Sequence, residues 1–104
     1  GIFIEFYDDT GKITSTLRAN SAYYNKAEDT WQGVGDVEVI NLEKQQQLNT
    51  EELFWKPATK KIFTDKFVTI KLEDRVIYGT SFEADQDLSN YAMKNLEGEF
   101  ELED

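Results

Sequence analysis

Apolar and polar residues alternate along this chain in short runs, and nowhere does an apolar stripe keep a helical period for three turns. Ile2, Ile4 and Phe6 alternate with their neighbours, Asp8-Asp9-Thr10-Gly11 interrupts, and Ile13 to Ala19 resumes, which predicts a hairpin with a longer loop. A short strand is predicted from Ala22 to Asn25, then a polar turn to Thr30. Trp31 to Val34 and Asp36 to Leu42 predict two strands parted by Gly35 as a bulge or tight bend. Glu43 to Gln47 predicts a loose loop. Leu48 to Lys56 predicts a strand, with a helical turn at Glu51-Glu52-Leu53-Phe54 as the competing reading. Beyond the turn at Pro57 to Lys60, strands are predicted at Lys61 to Thr64 and Phe67 to Leu72, kinked at Asp65-Lys66. Arg75 to Ser81 returns as the other arm of a hairpin, Phe82 to Asp85 continues it, and Tyr91 to Leu102 closes the chain with a break at Gly98.

The alternation also repeats. Leu17, Leu48 and Ile77 head three stretches about thirty residues apart, and the residues that follow match in kind: Ala19, Thr50 and Gly79; Ala22, Leu53 and Phe82; Trp31, Ile62 and Tyr91. In the first two stretches Val37 and Val39 further match Val68 and Ile70. Units of this size bury their apolar faces on one another rather than alone, so the pattern predicts a single elongated all-β domain over 1–104 with an inner face continuous along its length. Many short strands between regular turn signals mean a sandwich, a barrel or a jelly roll. A long apolar ligand suits such a face better than a small substrate does.

Composition narrows the function. With 39% hydrophobic residues, 7 Phe, 5 Tyr and 2 Trp, the chain is too apolar for a disordered acidic segment despite its net charge of -10. That charge argues against nucleic acid as a partner, which requires a basic stripe, and against adsorption to an anionic membrane surface. Its plain use is to keep soluble copies apart. Cysteine and histidine are both absent, which removes disulfides, thiolate sites and the commonest general base. No cofactor and no metal is expected. No run approaches the ~18 apolar residues that cross a bilayer, and the sequence opens directly on the strand-like Gly1-Ile2-Phe3-Ile4. The expectation is that a targeting or anchoring segment belongs to the full-length protein and has been trimmed away here.

Three features invite chemistry and carry little of it. Asp85-x-Asp87-x-Ser89 has the spacing that starts a calcium loop, but Asn90 stands where that loop needs glycine and Leu96 where it needs glutamate, leaving an acidic turn. Asp8-Asp9 and Glu51-Glu52 pair carboxylates, yet neighbours on a strand point to opposite faces and do not converge on one bond. The aromatic residues Tyr24, Trp31, Trp55, Phe82 and Tyr91 fall on the repeat's apolar positions, where they either fill a core or line a cleft for a hydrophobic guest. Gly79 is small where Ala19 and Thr50 are small, which means close packing or space for an acyl chain.

Phe6-Tyr7-Asp8-Asp9-x-Gly11, Leu17-x-Ala19 and Gly35-Asp36-Val37-x-Val39 resemble the LptC family of lipopolysaccharide export, as do Thr50-Glu51-Glu52-Leu53-x-Trp55, Thr64-Asp65-x-Phe67-Val68 and Tyr78-Gly79-x-x-Phe82-Glu83-Ala84-Asp85. The similarity runs from about Ile2 to Gly98. It implies a twisted, open β-jelly roll with an apolar groove that takes the acyl chains of lipopolysaccharide. It also implies a periplasmic place, with an amino-terminal anchor in the inner membrane. The edge Ile2 to Tyr7 would then meet the jelly roll of the inner-membrane ABC transporter, and the edge Tyr91 to Phe100 the soluble bridge protein.

By parity along the strands, the groove is expected to be lined by Ile4, Phe6, Leu17, Ala19, Trp31, Val37, Val39, Leu48, Leu53, Trp55, Ile62, Val68, Ile70, Ile77, Gly79 and Phe82. Ile2, Ile4, Phe6, Tyr91, Met93, Asn95 and Phe100 are expected on the docking edges, which also leave room for a homodimer. The last strand's Lys94, Glu97 and Glu99 suit a protected lone edge equally well. Three functions compete: a non-enzymatic lipid-transfer domain, a structural β-sandwich that joins partners by its edges, and a carboxylate-dependent enzyme acting on carbohydrate. The soluble bridge component of the same pathway stays open beside the first.

Overall fold

In the computed structural model, which describes residues 1–102, the chain forms nine strands and no helix among those residues. They are β1 (Ile2–Tyr7), β2 (Ile13–Ala19), β3 (Ser21–Asn25), β4 (Thr30–Asn41), β5 (Gln46–Lys56), β6 (Lys61–Thr64), β7 (Val68–Lys71), β8 (Arg75–Asp85) and β9 (Ala92–Glu101). All pair antiparallel in one sheet. β1 pairs β2; β2 and β3 pair opposite halves of β4; β4 pairs β5. β6 and β7 lie end to end between β5 and β8, and β9 closes the far side on β8.

This single sheet is folded over on itself. Counting along the ladder, Phe6 pairs Ser15, Ser15 pairs Asn41 and Asn41 pairs Gln46, nine residues before Trp55 on β5. At about 3.3 Å per residue and about 4.8 Å per strand, a flat sheet would hold Phe6 and Trp55 roughly 30 Å apart. Their rings sit 5.1 Å apart, edge to face. The fold line is visible residue by residue. Asn20 separates β2 from β3, and its amide donates to the Gly35 carbonyl at 2.9 Å. Gly35 and Asp36 bulge β4 with φ of 84 and 50. A side chain at Gly35 would be strained by that φ and would meet Asn20 Nδ2 at 2.8 Å, so glycine is required there. Asp65-Lys66-Phe67 parts β6 from β7, and Ser81 bends β8 with φ of 60.

Two layers result. The first holds β1, β2, the later half of β4, the early half of β5, β7 and the start of β8. The second holds β3, the early half of β4, the later half of β5, β6 and the end of β8. Each sequence repeat is thus a hairpin that crosses the fold line going out and coming back. The architecture is the expected all-β jelly roll. Its extents of 42 × 31 × 24 Å and radius of gyration of 13.3 Å are only modestly elongated, because stacking the units also doubles the sheet.

The strand boundaries moved in a few places. β4 runs through its bend where two strands were expected, since a bulge leaves the ladder continuous on both sides, and β8 continues across Ser81 as expected. The expected loose loop shrinks to a four-residue turn because Gln46 and Gln47 pair Asn41 and Ile40. The helical alternative at Glu51–Phe54 is not adopted. Gly98 does not break β9: the Tyr78 ring lies where a side chain at 98 would start, its hydroxyl oxygen nearest.

Candidate functional site

Inward-facing residues from both layers meet in one apolar interior. Phe6, Leu17, Ala19, Val37, Val39, Leu48, Leu53, Ile62, Val68, Ile70, Ile77 and Phe82 are buried there together, with Ile4 and Trp55 half-buried against them. Trp31 shares their face, opposite Trp55, but is 36% exposed at the rim. Gly79 is buried without offering room. A side chain at 79 would run into the Asn95 carbonyl at 2.2 Å and Met93 Sδ at 2.5 Å, so β9 already fills the space above it. Leu72, Ala84 and Leu88 belong to the same cluster and were not on the expected list. Ala84 follows Phe82 at strand parity and was readable; Leu88, the lone apolar residue of an acidic turn, was not.

The interior is closed at one end and open along one side. At the closed end Phe6 meets Trp55, and the turn after β8 inserts Leu88 between the layers. Along the open side, β1 and β3 both present unpaired edges, with Asn20 at the fold line between β2 and β3. Ile2 and Ile4 form one lip, half-buried, and Tyr24 and Trp31 the other, exposed and 4.9 Å apart. Between the layers the packing is tight: Val37, Val39, Leu48, Ile62 and Val68 are 0% exposed. A hollow of about 860 Å³ lies at the Ser81 bend, lined by Lys56, Lys61, Lys94, Asp65 and Glu83 and also by Phe63, Phe82 and Met93.

Polar side chains inside the fold serve its irregular backbone. Thr50 Oγ1 donates to the Phe67 carbonyl at 2.8 Å, and Thr64 Oγ1 accepts from the Lys66 amide at 3.0 Å, together holding the break between β6 and β7. Ser15 and Asn41 bind the turn after β8. No ionisable side chain is among the buried polar residues described. Apolar area therefore dominates what this interior offers.

The carboxylates singled out in the sequence hold turns. Asp8 accepts from the hydroxyl and amide of Thr10 and the amide of Lys12, which keeps its carboxyl below the usual range. Glu51 accepts from the Asp36 amide at 3.0 Å across the bulge, and Glu52 from Gln32. Asp85 is held low chiefly by the Lys61 ammonium and then by Asn90; it in turn holds Lys61 above the ordinary lysine value. Among the described residues no group of three or more acidic side chains is placed to hold a metal.

The edge residues divide by face. Ile2, Ile4 and Phe6 point inward from β1, leaving Phe3 and Tyr7 exposed outside. Met93 turns in against the core, while Asn95 and Phe100 are exposed on β9. Tyr91 lies one residue before β9, which begins at Ala92, and stacks on Phe82 at 6.3 Å. A protein-family model described as lipopolysaccharide-assembly, LptC-related, matches residues 2–95 of the chain. No curated protein matches it.

Proposed function

The chain belongs to the LptC-related family of lipopolysaccharide-assembly proteins, and on that membership we propose that its interior carries lipopolysaccharide acyl chains between two partners. The family is a periplasmic component of lipopolysaccharide transport and not a known enzyme. In the proposed route, the jelly roll of the inner-membrane ABC transporter docks on the β1 edge and delivers cargo. The soluble bridge protein docks on the β9 edge and receives it, while the full-length protein is anchored in the inner membrane. Free edges of this kind also support pairing of two copies. The observation that carries the reading is the uninterrupted apolar interior, which spans the fold line and is left unclosed by strand pairing between β1, with Ile2 and Ile4 half-buried, and β3, where Tyr24 is exposed beside Trp31. Both lipopolysaccharide and this chain are anionic, so binding rests on buried acyl area, worth about 25 cal/mol per Å² before ordering costs. The layers must also part, which keeps binding weak and release easy.

Tight packing favours a second reading, a structural adaptor that joins its partners by strand pairing alone. The two tryptophans distinguish them, since Trp31 stands at the rim and Trp55 is half-buried against the interior. Titration with purified lipopolysaccharide is expected to shift their emission to shorter wavelength, saturably, and to do so still in Trp31→Phe. An unchanged spectrum with no bound lipopolysaccharide would make the adaptor the better account.

A further inference from the structure

The turn between β8 and β9 is tied to both layers at once. Ser15 Oγ donates to the Gln86 carbonyl at 2.8 Å and Asn41 Nδ2 to the Asp87 carbonyl at 2.7 Å, both from the first layer. From the second, Trp55 Nε1 donates to Gln86 Oε1 at 3.0 Å, and the Gln86 amide donates to the Lys60 carbonyl at 2.9 Å. Between these ties Leu88 enters the core, 3% exposed, on a backbone of φ 72 that leucine rarely adopts.

We propose that Gln86–Asn90 is a latch and Leu88 its plug, and that an acyl chain and a seated Leu88 exclude one another. The proposal rests on reading the interior as the cargo path. A filled interior admits a guest only by expelling something or parting the layers. Moving any strand residue breaks a ladder of main-chain hydrogen bonds. Freeing Leu88 from the first layer breaks two side-chain hydrogen bonds, at the end where Phe6 and Trp55 close the fold. The free chain is therefore plugged at this end, which keeps that part of its apolar interior from water between cargoes, and cargo opens it by occupying the plug's place.

The chain contains no cysteine, so Leu88→Cys introduces its only thiol. Its rate of maleimide modification is to be followed with and without purified lipopolysaccharide, with binding read in the same sample from tryptophan emission. Modification is expected to be slow in the free protein and about tenfold faster at saturation. A rate unchanged while lipopolysaccharide is bound would overturn the latch and leave the cargo path standing. Failure of the unmodified chain to bind lipopolysaccharide would overturn both. As a check that spares the plug, Ser15→Ala loosens one tie and is expected to tighten binding about threefold, because less free energy goes into opening. A structural role for the turn would instead lower the melting temperature of Ser15→Ala with no gain in affinity.

Discussion

Gly79 and Gly98 both lie on the β8–β9 ladder, and each excludes a side chain for its own reason. A methyl group at 98 would collide with Tyr78, at 2.1 Å from its hydroxyl oxygen; a methyl group at 79 would collide with the main chain of Asn95. Overpacking of this kind costs about 1–3 kcal/mol. Gly98→Ala is therefore expected to lose stability in urea unfolding and to recover most of it in a Tyr78→Ala background. Gly79→Ala has no side-chain remedy, because the carbonyl that blocks it is backbone. Equal losses for Gly98→Ala in both backgrounds would show that Tyr78 is not the obstacle. At Leu88 the balance is closer. A left-handed backbone costs a non-glycine residue roughly 1–2 kcal/mol, and burying a leucine returns about 1.5–3 kcal/mol. The small difference between these terms is what makes a plug displaceable.

At the scale of elements, the turn that carries Leu88 is anchored at its start by Asp85, which accepts from Lys61, Ser89 and Asn90. Glu83 beside Lys61 and Asp87 within the turn are the other charges nearby. Because the folded protein holds the Asp85 carboxyl below its ordinary value of 3.8, the stability it adds is fully present above that value and is lost as the pH falls through the lower folded one. Asp85→Asn is expected to lower the urea midpoint at neutral pH, with the gap to the parent closing in acid. A gap constant with pH would remove Asp85 as the anchor. The inner face of each strand was readable because a period of two assigns every residue a side, and Val37 and Val39 kept their parity once Gly35 was taken as a bulge. What lay beyond reading was contact between residues far apart in sequence. Nothing local in the run from Asp85 to Asn90 says that Leu88 turns inward, and nothing around Trp31 says that it ends up exposed on the inner face. At Gly79 the sequence leaves close packing and spare room both open, and only the crossing of β9 decides for packing.

For the molecule as a whole, the repeat and the doubling of the sheet are one fact: three hairpins bend at a common line, so every unit contributes to both layers of a single interior. Closing that sheet removes most of its edges and leaves β1, β3 and β9 free, two of them flanking the open side. The central claim is that cargo travels inside the fold and not over its outer surface. A photo-crosslinking phenylalanine analogue placed in turn at Phe82, Trp55 and Phe63, in cells exporting lipopolysaccharide, tests this directly. Phe82 is buried in the interior and Trp55 half-buried against it, whereas Phe63 stacks on Phe54 and lines the hollow at the Ser81 bend, which Phe82 also touches and Trp55 does not. Lipopolysaccharide adducts at Phe82 and Trp55 with none at Phe63 are the expected result. Adducts at Phe63 alone, or none at any position in folded and assembled protein, would contradict it.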